Sequence, residues 1–103
     1  SANELNKNGF TRAAGAVAGV VLENHLATVC DRHKIQVTKK HPTISDFNDS
    51  LKSKEVLDMS AWRKIQYLGD IRNKCDHKKP VEPTSEEIDE LIEGVRKYIK
   101  TLF

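Results

Sequence analysis

The segment Arg72–His77, which reads RNKCDH, carries the residues of this chain best suited to chemistry on a phosphate group. An arginine such as Arg72 can bind a phosphate through two parallel hydrogen bonds. Asn73 adds an amide beside it, and His77 follows five positions after Arg72. A histidine titrates near neutral pH and can move a proton. The three residues therefore form a phosphate-handling set that needs no metal ion.

Basic residues flank this set and make its surroundings positive. Lys74, Lys78 and Lys79 are candidates for binding a phosphate or an RNA backbone, whereas a second basic run, Lys39–His41, is typical of a solvated loop. The formal net charge of the whole chain is only +2, so overall charge does not indicate a nucleic-acid binder. Most aromatic residues fit core positions, which predicts no stacking surface for single-stranded bases.

Each residue of the set also has a purely structural interpretation. On an ideal helix, Arg72 and Asp76 lie one turn apart and can form an ion pair worth a few tenths of a kcal/mol. His77 can serve as a positive charge at a helix C-terminus. Glu23 is either an acid that supports the site or a half-buried partner for Arg72 or Arg63. Asp76 is either a partner that tunes Arg72 or a solvated side chain.

The position of Arg72 on its helix favours a functional role. It borders an apolar stripe beside Leu68, Ile71 and Cys75, which predicts that it lies at a helix interface. A guanidinium there needs a partner, because an unpaired buried charge is costly. A phosphate, a carboxylate of the same chain or a group on a second protomer would serve.

The apolar residues recur at intervals of three and four, which predicts helices and no strands. The predicted helices run roughly over residues 5 or 10 to 33, 44 to 56 or 57, 58 or 60 to 77, and 85 to 102. Short polar loops join them. The predicted fold class is therefore all-α, as a four-helix up-and-down bundle.

Several residues mark where these helices begin and end. Thr43 and Thr84 each precede an acidic residue at the spacing of a capping box, and Asp58 or Ser60 can cap the third helix. Pro80 is predicted to stop the third helix, because the residue before a proline avoids helical geometry. The last turn of that helix would then contain Cys75, Asp76 and His77.

The first helix is rich in small residues. Gly15 and Gly19 lie four positions apart and share a face, so another helix of the same chain or of a second copy can approach closely. The apolar spacing predicts that the following residues face the core: Phe10, Ala13, Ala14, Val17, Ala18, Val21, Leu22, Leu26, Val29 and Cys30.

Two cysteines in a helical chain do not indicate a disulfide framework, and buried reduced thiols are the expectation. A zinc site built from Cys30, His33, Cys75 and His77 has suitable ligand types, but the spacing of the second pair is tight. A thiol nucleophile at Cys75 is disfavoured by its apolar stripe. We therefore expect neither a metal ion nor another cofactor.

The 103 residues suit one domain, with residues 1–9 as a tag remnant or lead-in and residues 10–103 as the folded unit. No apolar run is expected to reach the roughly 18 residues of a membrane span, and no signal-peptide pattern is present. A cytoplasmic location without membrane contact is the prediction. The start at Ser1-Ala2-Asn3 suggests an excised domain whose neighbouring domain is missing.

The pattern Arg-Asn-x-x-x-His, present as Arg72, Asn73 and His77, resembles the motif of the HEPN superfamily (higher eukaryotes and prokaryotes nucleotide-binding domains). Those domains are small helical bundles with this motif near the end of their penultimate core helix. The layout here is similar over roughly residues 10–102: a long first helix rich in small residues, a short helix, the motif helix, a Lys/Pro loop and a terminal helix.

This resemblance implies a metal-independent endoribonuclease that works as a homodimer, with two motifs facing each other across a cleft. His77 would be the general acid and base for attack of a ribose 2′-hydroxyl on its phosphodiester, Arg72 would hold the phosphate, and Asn73 would orient the phosphate or His77. The products would be a 2′,3′-cyclic phosphate and a 5′-hydroxyl. Phage-defence or toxin–antitoxin proteins would be the setting, with a further domain or an antitoxin as partner. The alternative is a non-catalytic HEPN-like dimerisation or regulatory module of a larger protein.

Overall fold

The computed structural model describes residues 11–76 and 79–103, and in these two ranges the chain is helical without strands. Four helices follow one another: α1 (Thr11–Arg32), α2 (Ile44–Ser53), α3 (Met59–Lys74) and α4 (Ser85–Thr101). The all-α prediction is confirmed. Helix α1 packs against each of the other three, and α3 packs between α2 and α4. The predicted lead-in, residues 1–9, lies outside the described residues, as does Phe10.

Three of the helices begin at the capping residues that the sequence predicted. Thr43 and Thr84 form complete capping boxes, with Asp46 and Glu87 as their respective partners. Asp58 caps α3 through a 2.8 Å hydrogen bond from the backbone N–H of Ala61. These bonds satisfy backbone donors that have no partner inside the helix.

The close approach predicted for the glycine face of α1 is made by α3 of the same chain. A Cβ at Gly15 would overlap Sγ of Cys75, and a Cβ at Gly19 would overlap Cγ of Arg72. The absence of both side chains lets the C-terminal part of α3 lie directly against the α1 backbone. The two glycines therefore decide where Arg72 sits.

The same close packing makes part of the predicted core wrong. Ala13, Val17 and Val21 are exposed, because α1 presents its glycine and alanine positions to α3 and leaves these side chains outside. Met59 of α3 and Ile99 of α4, whose spacing also predicts core positions, are exposed as well. The observed α1 core face consists of Ala14, Gly15, Ala18, Gly19, Leu22, Leu26, Val29 and Cys30.

The end of α3 also differs from the prediction. The helix ends at Lys74, and Cys75 is its C-cap; the backbone N–H of Cys75 donates to the Arg72 carbonyl, and that of Asp76 donates to the Asn73 carbonyl. Asp76 already lies beyond the helix, so Pro80 is too far along the chain to be what stops it. His77, predicted for the last turn, lies outside the described residues.

Helix α1 is long and apolar enough to cross a membrane by length and composition alone, contrary to the sequence expectation. Its most apolar window is 44% buried inside the bundle, and core helices of soluble proteins reach the same length and apolar character.

Asn48 is a fully buried polar residue that the sequence reading did not place in the core. Its Nδ2 group donates to the backbone carbonyl of Trp62 and to Oε1 of Gln66, both at 2.9 Å. The two bonds connect α2 to α3. The two bonds fix how α2 faces α3, because a shifted packing would leave the Nδ2 group unsatisfied, as Oδ1 already is among the described residues.

We predict that Asn48→Ala lowers the free energy of unfolding by about 2 kcal/mol, since buried acceptors on α3 lose their donor. Asn24→Ala, on the exposed surface of α1, should change it by less than about 0.5 kcal/mol. Urea denaturation of both variants measures the difference. Equal effects would show that the Asn48 bonds do not stabilise the packing of α2 on α3.

Candidate functional site

A cavity of about 270 Å³ lies between α1, the start of α2 and the second half of α3. It brings together three residues that the sequence singled out: Arg72, Asn73 and Glu23. The complete lining is Glu23, Thr43, Ile44, Ser45, Gln66, Gly69, Asp70, Arg72 and Asn73. The mixture of acidic, basic and amide groups in one concave surface makes this cavity the candidate site.

Arg72 is half-buried, and its stem lies over Gly19. Within residues 11–76 and 79–103 its guanidinium forms no hydrogen bond and no ion pair. The ion pair with Asp76 that helical spacing allowed is therefore absent. Glu23 lines the same cavity without bridging to Arg72 or to Arg63, so its structural interpretation as their ion-pair partner is wrong.

Asn73 and Asp76 lie on the exposed side of this region. The Asn73 carbonyl accepts from the backbone N–H of Asp76, and Asn73 lines the cavity. The Asp76 carbonyl accepts from Arg12 at 2.6 Å. Asp76 thus contributes its backbone to the end of α3.

Arg12 is a residue of this region that the sequence reading missed. Its guanidinium donates to the carbonyls of Lys74 (2.9 Å), Asp76 (2.6 Å) and Lys79 (3.2 Å), and its Nε lies 3.4 Å from Oε1 of Glu82. It therefore holds the chain on both sides of residues 77–78. One signal for it was present: Arg12 precedes Gly15 and Gly19 by three and seven positions and so shares their face of α1.

The predicted basic cluster is divided by the structure. Nζ of Lys74 lies 2.6 Å from Oε2 of Glu87, so Lys74 joins α3 to the start of α4 and is not a free phosphate ligand. Its ammonium is the main cause of the lowered pKa of Glu87, and the same hydrogen bond raises the pKa of Lys74. Lys79 is exposed, and Lys78 and His77 lie outside the described residues.

The two cysteines are free and buried, as predicted. Burial is the main reason why the pKa of both thiols is raised, although Arg72 and Arg12 partly oppose this at Cys75. A raised pKa disfavours the reactive thiolate. Cys30 faces the α2 backbone at Phe47, whereas Cys75 lies beneath Gly15, and no group of three metal-ligating side chains occurs among the described residues.

No family model, curated protein or solved structure matches this chain. The resemblance to the HEPN superfamily therefore stays a prediction based on Arg72, Asn73, His77 and the order of the helices.

We predict that Arg12→Ala lowers the free energy of unfolding by about 2 kcal/mol, because several charge-assisted bonds to carbonyls are lost together. Amide hydrogen exchange at Cys75, Asp76 and Lys79 should accelerate, since the bonds of these amides close the end of α3. The control is Arg32→Ala, an exposed arginine at the other end of α1. Unchanged exchange in Arg12→Ala would contradict the holding role.

We predict that the Lys74–Glu87 pair makes the protein less stable in acid. The lowered pKa of Glu87 means that its contribution is complete above the ordinary glutamate pKa of about 4.3 and is lost as pH falls through the lowered value. Glu87→Gln keeps a capping side chain but removes the charge, so its free energy of unfolding should fall less between neutral and acid pH. Glu86→Gln, on the neighbouring exposed residue, should behave like the unmodified chain in urea titrations across this range.

Proposed function

We propose that this domain is a metal-independent endoribonuclease of HEPN type that cleaves RNA through attack of a ribose 2′-hydroxyl. The observation that carries the proposal is the state of Arg72. Its half-buried guanidinium faces the cavity and forms no ion pair with a carboxylate of the described residues, Glu23 and Asp70 of the lining included, so a bound anion would supply the missing partner. A phosphodiester is an anion that a guanidinium binds in two-pronged geometry.

The proposed chemistry assigns one role to each residue of the motif. His77 takes the proton from the 2′-hydroxyl, whose oxygen attacks the adjacent phosphorus as the bond to the 5′-oxygen breaks, and the same proton is then given to the departing 5′-oxygen. The products are a 2′,3′-cyclic phosphate and a 5′-hydroxyl. Arg72 stabilises the charge that grows on the phosphate oxygens, and Asn73 orients them. Lys78 and Lys79 bind the neighbouring phosphates of the RNA.

We further propose that the active form is a homodimer built on the outer face of α1. Val17, Val20 and Val21 are 45%, 50% and 40% exposed, which is unusual for three valines on one helix. Ala13, Val17 and Val20 follow each other at intervals of four and three, as in the seam between two paired helices. Glu23 lies one turn beyond Val20 and lines the Arg72 cavity, so a second copy on this face would lie beside the site.

The same face supports the second candidate function, a non-catalytic dimerisation or regulatory module. In that case the valines would hold the dimer and Arg72 would meet an acidic group of the second copy. Both candidates fit a domain of a larger phage-defence or toxin–antitoxin protein located in the cytoplasm. They differ in what the motif residues do for activity and for assembly.

The deciding experiment measures cleavage of a mixed RNA pool by the purified domain in excess EDTA. We expect cyclic-phosphate ends from the unmodified chain, no cleavage by His77→Ala and at least about a hundredfold slower cleavage by Arg72→Ala, since its charge stabilises the transition state. Arg63→Ala, an exposed arginine on the same helix, should cleave normally.

Sedimentation of the same variants separates the two candidates. If the domain is a nuclease, Arg72→Ala should remain a dimer, whereas Val20→Glu should lose both the dimer and the cleavage activity. If a folded dimer cleaves no RNA and Arg72→Ala dissociates it, the module interpretation replaces the nuclease.

A further inference from the structure

Gly69, in the middle of α3, is a glycine that the packing of the protein does not require. A Cβ at Gly15, Gly19 or Gly94 would meet a neighbouring side chain too closely, whereas a Cβ at Gly69 would meet only Ile44, with Cγ2 at 3.4 Å, an ordinary contact. Glycine nevertheless weakens a helix interior by about 1 kcal/mol relative to alanine. Gly69 lines the cavity beside Arg72, so its missing side chain leaves a strip of backbone that a ligand can approach.

The hydrogen bonds behind the cavity fix which group Gln66 presents to it. The Trp62 carbonyl can only accept, so the atom of Asn48 that bonds it is the NH₂ group. The same NH₂ group donates to Gln66, whose bonded atom must therefore be Oε1. Gln66 lines the cavity, and its own NH₂ group has no partner among the described residues. A donor is thus held in a known orientation.

The acidic residues of the lining supply acceptors. Glu23 comes from α1 and Asp70 from α3, and neither forms an ion pair within the described ranges. Two carboxylates repel a second phosphate, so the part of a nucleotide that fits between them is neutral and carries N–H groups. The cavity therefore combines acceptors, a fixed donor and a bare strip of backbone.

We infer that this cavity binds a guanine ring. On its Watson–Crick edge guanine has two neighbouring donors, N1–H and the 2-amino group, which suit one carboxylate, and an acceptor, O6, which suits the Gln66 NH₂ group. Adenine has an acceptor at N1, which a carboxylate repels. The flat face of the ring rests against Gly69 and Ile44. A cavity of about 270 Å³ is of the size of one base rather than of a whole dinucleotide.

This inference rests on the proposed function for its place in the reaction: Arg72, on the same cavity, holds the phosphate attached to the bound nucleoside. The nuclease would then cut next to a guanosine. A free guanine nucleotide presents the same chemistry, so the two sources of the ring must be told apart by experiment.

The first test measures binding of guanosine, inosine and adenosine 5′-monophosphates by calorimetry in EDTA. Inosine lacks only the 2-amino group, so we expect about tenfold weaker binding than for guanosine, and weaker binding still for adenosine. Equal affinities for guanosine and adenosine monophosphates would overturn the inference. So would the absence of binding by a folded domain.

Gly69→Ala separates a ligand role from a structural one. The added methyl group has room within the protein and favours the helix, so the urea midpoint of unfolding should stay equal or rise. Binding of guanosine monophosphate should fall at least tenfold. Thr101→Ala, at the far end of α4, is the control for binding. Unchanged affinity in a stable Gly69→Ala variant would overturn the inference.

Cleavage sites in an RNA of random sequence show whether the bound guanine ring belongs to the RNA substrate or to a free nucleotide. Cuts confined to positions beside guanosine, with the preference reduced in Asp70→Asn or Gln66→Glu, would assign the ring to the RNA substrate. Cuts without that preference would assign it to a free nucleotide. If the domain binds guanosine monophosphate selectively but cleaves no RNA, the guanine site stands and the nuclease proposal fails.

Discussion

The packing of α3 on the two glycines of α1 is the constraint on which the rest of the molecule depends. Because Gly15 and Gly19 have no side chains, Cys75 and Arg72 lie against the α1 backbone. This contact has three consequences at once. It buries one thiol, it holds the stem of Arg72 while its charged end faces the cavity, and it leaves Val17, Val20 and Val21 on the outer side of α1.

The arrangement around the end of α3 addresses an electrostatic difficulty of the proposed site. The C-terminus of a helix carries a partial negative charge from its unpaired carbonyls, which disfavours a phosphate nearby. Arg12 binds the carbonyls of Lys74 and Asp76 and so offsets that charge. Arg12 and Arg72 therefore act together: one reduces the repulsion at the helix end while the other offers a cation to an anion in the cavity.

The features that could be predicted from the sequence are those that depend on short stretches of chain. The caps at Thr43, Asp58 and Thr84 involve partners only three positions away; Thr43 and Thr84 were predicted correctly, and Asp58 was one of the two caps predicted for its helix. The inward face of α1 was partly mispredicted, because valine is more apolar than glycine, while close packing of the helix backbones favours glycine.

The contacts that complete the candidate site join residues far apart in the chain, and no local pattern reveals them. Arg12 reaches Lys74, Lys74 reaches Glu87, and Asn48 bonds the backbone of Trp62. The sequence placed Arg72, Asn73 and Glu23 in one functional set, and the structure brings them to one cavity. The sequence alone did not indicate Gln66 or Gly69, because an amide or a glycine on a helix has no special meaning until its neighbours are known.

Two residues of α1 imply an order of events when the chain is synthesised. Arg12 bonds a carbonyl 62 positions later, and Nε2 of His25 lies 2.8 Å from the Leu102 carbonyl, 77 positions later. Helix α1 leaves the ribosome before these partners: Arg12 gains its carbonyls once the residues that follow α3 have been made, and His25 gains its carbonyl only after α4. Until α3 has been made, the glycine face of α1 is uncovered. A nascent chain of this protein thus presents that face to other proteins only until α3 packs on it, whereas the valine face stays exposed in the folded domain.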